Sequence, residues 1–497
     1  MKSRWTLPIL TGILLAFGLT SFQVQAQDYV YATGNPNFGV NYPIPGGYIN
    51  VTNGNAHITI PLGTFKQRGG LPPIKINLEY DSRIWKIIDN GGYSWQPVNV
   101  PNSMAGWRLT TGLEQGTTSY EEVPVTGPMV CDGKLIQTTL AEDYTRFMWT
   151  DGQGTQHIFD ATLQQGVPLQ SPCPPGGPYL PASGSGYAID GSGYYLEVAN
   201  DSVMTIYDNR GNEVYPIHED PNHNQVSINS AGTVTDSMGR TLMTTTTGSN
   251  SITYNVLKEG GGTNTFTVNT GTVNVNTAFG QSAVSENSSS LTAIESVDLP
   301  DGSSYAFAYD SDSYGEMTSM TLPTGGVVTF YYSNYLDSYN NYNRWISSET
   351  ENGNATSFTP KVLSQCSSQP TGCQEQMTVS RPTGDSRVYT LTMNDGAWDG
   401  ITQTYNGSNL LLTVTNNYNF SSYQCSNNYI CNGAQYITAS SSTATLNDVS
   451  PNLTATTCYT YAAPWIGKTS AIQEWDYSTT PTICPSQSTP NRETDYT

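Results

Sequence analysis

The chain has 497 residues, of which 19 are basic and 40 acidic, for a formal net charge of −21. Such acidity repels phosphate backbones and anionic membranes, so nucleic acid is not an expected partner. The length exceeds what one compact core sustains, roughly 250 to 300 residues, and 47 glycines with 29 prolines leave little room for long helices.

Tyrosine outnumbers phenylalanine 33 to 12, and Thr, Ser and Asn are abundant, the vocabulary of half-buried strands with wet outer faces. The expected class is all-β: a multi-unit array of antiparallel hairpins and β-sheets, elongated or shaped as a partial shell. Residues 1–26 read as a signal peptide, with Lys2 and Arg4 before an apolar run from Ile9 to Leu19 and a cleavage site at Val24-Gln25-Ala26. That run is too short to span a bilayer. The expected location is secreted or bacterial cell surface, with no transmembrane helix after signal cleavage.

Residues 27–46 form a turn-rich surface leader, and 47–243 an N-terminal β region. There, Gly47–Thr52 and Ala56–Leu62 read as a hairpin about Asn53 and Gly54, since Asn-Gly accepts the two positive φ values of a type I′ turn. Ala56, Ile58, Ile60 and Leu62 share one face; Ile74, Ile76, Leu78 and Tyr80 alternate along the next strand, and Gly106-Trp107-Arg108-Leu109 opens another. Two turns follow, Asp208-x-x-Gly211 and Asp236-x-x-Gly239. In each, Asp can accept an amide hydrogen two residues on while Gly takes the positive φ.

Residues 244–290 are rich in Ser, Thr and Asn and read as a linker or a shallow surface sheet. Residues 291–333 state one hairpin twice: superposing Pro300 on Pro323, a shift of 323 minus 300 or 23 residues, matches Val297 with Met320, Phe307 with Phe330 and Tyr309 with Tyr332. The reversals are Pro300-Asp301-Gly302 and Pro323-Thr324-Gly325-Gly326, where proline presets φ and glycine supplies its positive value. Looser copies lie at 149–160 and 379–391. A period of this size marks stacked units, none able to bury its apolar face alone. A Tyr- and Asn-rich loop is expected at 333–343, within a cysteine-containing β region, 334–497, that reads as truncated.

Eight cysteines in an exported chain suggest disulfides, and spacing favours Cys131 with Cys173, Cys366 with Cys373, Cys425 with Cys431 and Cys458 with Cys484. Zinc is disfavoured by the lack of any Cys-x-x-Cys and by only four histidines. Asp310 to Glu316 begins like a calcium loop but has Tyr314 and Thr321 where oxygen ligands belong, so it reads as a plain turn. His218 and His223 flank Pro221 and lack the helical spacing of a metal pair. Acidic pairs such as Asp395 with Asp399, or Glu121 with Glu122, have no separation fixed by sequence. No catalytic, cofactor or metal residue is assigned, and an enzyme is not expected.

The Tyr207-Asp208-x-x-Gly211-Asn212 and Asp236-x-x-Gly239-Arg240 turns, with the Leu-Pro-Asp-Gly hairpin, resemble the YD-repeat motifs of the bacterial RHS family. Val51-Thr52-Asn53-Gly54-Asn55, Leu78-Glu79-Tyr80-Asp81-Ser82 and Gly106-Trp107-Arg108-Leu109 are similar to the segment that often precedes those repeats. The resemblance implies a β shell that encloses and delivers a C-terminal toxin on bacterial surfaces or in secreted systems. The dense repeats, the self-cleaving core and the toxin have no counterpart here. The expectation is therefore a non-enzymatic exported scaffold, the N-terminal part of such a protein, partnered by a downstream RHS repeat segment or cell-surface components. The alternative is a secreted carbohydrate-binding or carbohydrate-degrading β protein, whose exposed aromatic rings would stack on glycans.

Overall fold

The computed structural model describes residues 33–34, 40–68, 71–89, 91–98, 104–112, 116–131, 133–166, 181–190, 192–200, 203–216, 218–366, 373–393, 397–425, 429–462, 468–486 and 488–496, with backbone alone at 89, 123, 420–425 and 429–437. The signal segment and most of the leader lie outside them. Among the described residues there are 34 strands and no helix, so the fold is all-β. A five-stranded sheet spans 41–110, two four-stranded sheets span 117–166 and 183–215, a two-stranded hairpin covers 85–97, and a 19-stranded sheet runs from 226 to 495. In this long sheet every strand pairs antiparallel with the strands before and after it in sequence.

The first sheet is positioned by its alternation. Ile58, Ile60, Ile76, Leu78 and Tyr80 are all at most 1% exposed, and they share one core with Val297, Met320, Phe330 and Trp345 of the long sheet. Each such side chain contributes roughly 1.5 to 3 kcal/mol on burial, so the first sheet is bound to the long one by its apolar face. The two hairpins of the sequence repeat use equivalent residues for this: Val297 and Met320 are fully buried, and Phe307 and Phe330 are 9% and 2% exposed.

The connection at Asn53-Gly54 differs from a two-residue type I′ turn. The strand stops at Asn50, residues 51–55 form the reversal, and only Gly54, at φ 70°, takes the left-handed conformation. The Asn50 amide donates to the Asn55 carbonyl (2.8 Å) and the Gly54 amide to the Asn50 carbonyl (2.7 Å). Asn50 Oδ1 accepts the Thr52 amide (2.9 Å) and Asn53 Oδ1 the Asn55 amide (3.1 Å), local bonds that replace ladder bonds. A Cβ on Gly54 would lie 2.7 Å from the Trp345 ring. This close approach to the long sheet is what requires glycine there.

One reversal recurs through the chain. The first residue's amide donates to the carbonyl four residues on, the fourth residue's amide returns to the first carbonyl, and the fourth residue has positive φ. Asp208 and Asp236 build it with their side chains: Asp208 Oδ1 accepts the amides of Arg210 (2.8 Å) and Asn212 (2.9 Å), and Asp236 Oδ1 those of Met238 (3.1 Å) and Arg240 (3.0 Å). Gly211 and Gly239 sit at φ 80° and 75°. Asp220 forms the same turn with His223 in the glycine position at φ 61°. At Leu299 and Leu322 the same backbone bonds occur, with Pro300 and Pro323 in second place, Asp301 in third, and Gly302 and Gly325 at φ 86° and 85°. Gly326 then closes the second of these by accepting from the Leu322 amide (2.8 Å). Two chemistries, a carboxylate cap and a proline, thus fix one geometry.

The expected loop at 333–343 is mostly strand. Strands run through Leu336 and resume at Tyr342, because Asp337 caps a compact turn by accepting the amides of Tyr339 (3.0 Å) and Asn341 (2.7 Å). Residues 244–290 lie largely in strands of the long sheet, where Tyr254, Val256, Phe266 and Val268 reach the shared core between outward threonines.

Cys366–Cys373 and Cys458–Cys484 are disulfides with Cα separations of 5.1 and 5.7 Å. Cys131 is buried near the end of the 117–131 strand, Cys173 lies outside the described residues, and Cys425 and Cys431 are described by backbone alone. Closing the 26-residue separation of Cys458 and Cys484 stabilises by about 3.5 kcal/mol in the chain-entropy treatment. The expected outcome of alkylating the unfolded, non-reduced protein is no label on these four cysteines by peptide mass mapping; after reduction all four take it up and the melting temperature falls.

Candidate binding cleft

The face of the first sheet that points away from the shared core carries charge. Register sets His57 opposite Asp81 and Glu79 opposite Arg108. Arg108 Nη2 meets Glu79 Oε2 at 3.1 Å, Arg108 Nη1 pairs with Asp81 Oδ2, and Asp81 Oδ1 accepts from Asn55 Nδ2 (2.8 Å) and lies 2.9 Å from His57 Nδ1. These groups are buried, at 2% exposure for Glu79 and Asp81 and 6% for Arg108. Buried charges persist only when paired and hydrogen-bonded. Burial opposes ionisation of Asp81, but Arg108 and His57 outweigh it and hold the carboxyl below its usual range. Burial likewise opposes a charge on His57, and Asp81 reverses it, raising that pKa. The Tyr48 ring stacks on His57 with centroids 4.7 Å apart.

A second cluster stands on the reversal after the 134–150 strand. Asp151 Oδ1 accepts the amides of Gln153 (2.9 Å) and Thr155 (2.7 Å), while its Oδ2 lies 3.5 Å from His157 Nε2. His157 Nδ1 sits 2.6 Å from Asp190 Oδ2, so the imidazole ties the 156–158 strand to the turn after the 183–187 strand. Burial would lower the His157 pKa; its hydrogen bonds and charge contacts with Asp151 and Asp190 outweigh that and raise it to about 9, which makes it an imidazolium at neutral pH. The clusters touch through Gln153, whose carbonyl accepts from Arg108 Nη2 (3.3 Å) and whose amide nitrogen, correctly oriented, lies 3.0 Å from Glu79 Oε1.

Between the clusters is a cleft of about 620 Å³, lined among others by Tyr48, Asn77, Glu79, Asp151, Gln153 and Tyr194. Its volume falls within the range of about 300 to 1,000 Å³ typical of small-molecule sites. The floor carboxylates are already committed to Arg108, His57 and His157, so the cleft offers oriented hydrogen-bonding groups rather than a field of one sign.

None of the turn residues expected from sequence lines it. Gly54 packs under Trp345, Asn53 caps the Asn55 amide, and Asp208, Gly211, Asp236, Gly239, Pro300, Asp301, Gly302, Pro323, Gly325 and Gly326 each serve their own reversal. Asp310 spends its carboxylate on the amides of Tyr314 (3.4 Å) and Glu316. Glu121 binds Arg146 at 3.0 Å, and Asp395 lies outside the described residues. The sequence reading missed His57, Glu79, Asp81 and Arg108, although Glu79 and Asp81 alternate with core residues; their partners follow only from register. His157 and Asp190, 33 residues apart, carried no local signal.

No protein-family model matches the chain, and no curated protein matches it either. The crystal structure of TcdB2-TccC3 aligns over 92% of this chain and 28% of that one, at 10% identity and a TM-score of 0.14. The chain thus spans about 28% of the length of that structure.

Stability should fall continuously from pH 5 to pH 9. Burial raises Glu349 to about 7, and it raises Glu316 to about 7 against the opposing pull of Arg344. The folded chain therefore holds protons that the unfolded chain has released above about pH 4.5, and stability declines as pH rises through that window. The raised His157 contributes stability that is complete below about 6.5 and lost as pH passes about 9, a change of about 3 kcal/mol. Asp81 and Asp190 are lowered, so their contribution is already complete above the ordinary carboxylate range. Scanning calorimetry should give the highest melting temperature near pH 5; a maximum at pH 8 would contradict this assignment.

Proposed function

We propose that the chain is a non-enzymatic exported β scaffold, the front part of a surface or toxin-delivery protein of the RHS type. The observation that supports this most is the long sheet of consecutive hairpins from 226 to 495, built on one recurring reversal and packed against the first sheet. Such a sheet grows by adding hairpins without disturbing those in place, a property suited to forming a wall. Disulfides support an oxidising location, and among the described residues no helix is long and apolar enough to cross a membrane. Among the described residues, 492–495 pair with the 469–478 strand alone and are exposed, an edge on which a further strand can add.

The partner in this reading is a downstream RHS repeat segment. A repeat fragment supplied in trans to the purified chain should form a complex that survives gel filtration, and Glu493→Pro should abolish it. No complex with the unmodified chain would overturn the reading.

A further inference from the structure

We infer that the cleft between the first sheet and the Asp151 reversal binds a neutral, polyhydroxylated ring, a sugar residue of a glycan. This goes beyond the scaffold reading and does not rest on it.

Three observations converge. The first is charge. Glu79 and Asp81 are committed to Arg108 and His57, and Asp151 and Asp190 to His157. A cation would find those carboxylates already paired, an anion would meet them at close range, and the further charged lining residues Lys75 and Glu213 are of opposite sign, so an uncharged ligand suits the cleft best.

The second is chemistry. Asn77, Gln153 and Thr59 bring amide and hydroxyl groups to the lining, and both kinds donate as well as accept, which suits a ligand whose hydroxyls do the same. The third is the pairing of flat rings with that polarity. Tyr48 and Tyr194 line the cleft, Tyr48 backed by the His57 imidazole and Tyr194 meeting Trp149 and His157 edge-on with centroids 5.1 and 4.8 Å away. Tyrosine has an apolar face and a polar tip, and the C–H face of a pyranose with its hydroxyl rim is the complement of that combination. Pro73, Ile74 and Val226 add apolar lining.

The test is calorimetric titration of the disulfide-bonded chain with maltohexaose, cellohexaose, mannohexaose and chitohexaose, and with tetra-arginine as a charged control. At least one oligosaccharide is expected to bind saturably. Tyr48→Ala and Asn77→Ala should each weaken it about tenfold, the scale of one well-made polar contact, with the melting temperature recorded for each variant. Tyr331→Ala, on an exposed residue of the long sheet, should leave binding unchanged. If no oligosaccharide binds, if tetra-arginine alone binds, or if Tyr48→Ala and Asn77→Ala both bind as the unmodified chain does, the inference is overturned. Because Glu493→Pro does not touch the cleft, it should keep sugar binding, which separates failure here from failure of the scaffold reading.

Discussion

Replacing Arg108 with methionine should destabilise the chain by about 3 to 5 kcal/mol, the cost of leaving buried carboxylates without their cation. Glu79 and Asp81 both face that guanidinium from the neighbouring strand and are almost completely buried. Methionine keeps much of the volume, so the loss reports charge rather than a cavity. Among the described residues His57 would remain as the base beside Asp81, and the two acids would then drive each other toward protonation. Urea unfolding at pH 7 measures the loss, and repeating it at pH 5 should return part of it. The triple variant Arg108→Met, Glu79→Gln, Asp81→Asn should recover more than half, because removing all the charges also removes the penalty of an unpaired one. A loss under about 1 kcal/mol would mean that the network is exposed to solvent.

The second large effect is expected at Gly54→Val, at about 3 kcal/mol. A β-branched residue at positive φ costs about 1 to 3 kcal/mol, and the added carbons would overlap the Trp345 ring, 2.7 Å from the Cβ position, for a further cost of about 1 to 3 kcal/mol. Because the overlap lies where the first sheet meets the long one, hydrogen exchange should accelerate in 56–65 and 74–81 before it does in 317–336. Trp345→Leu should relieve part of the valine's cost, so the two changes should be non-additive in a double-mutant cycle. Additive costs would show that Gly54 does not pack on that ring.

The all-β class and most of the core were legible in the sequence because period-two alternation is a local property. Ala56, Ile58, Ile60 and Leu62 are buried together as their spacing implies, and the 23-residue shift places Val297 and Met320 at equivalent core positions. Where the reading failed, side-chain hydrogen bonds had replaced the expected turn or loop. Asn50 and Asn53 bond their own backbone and lengthen a reversal that Asn-Gly alone would have made short, and Asp337 condenses a polar stretch that composition marks as loop. The threonine-rich 244–290 stretch is strand because its few apolar residues, Tyr254, Val256, Phe266 and Val268, sit two apart and reach the shared core. The cleft was the least legible part. Its members come from many separate stretches, from Gly34 to Val226, and nothing local to Glu79 announces that Arg108 and Gln153 will close over it.

The serial order of the long sheet has a mechanical consequence. Since each strand's neighbours in the sheet are also its neighbours along the chain, a pull on residue 496 transmits load to one hairpin at a time. The ladder bonds would open in sequence like a zip instead of shearing together. Single-molecule extension from that end should therefore show many small, low-force steps, with a pause where the Cys458–Cys484 bond withholds its enclosed segment from the pull.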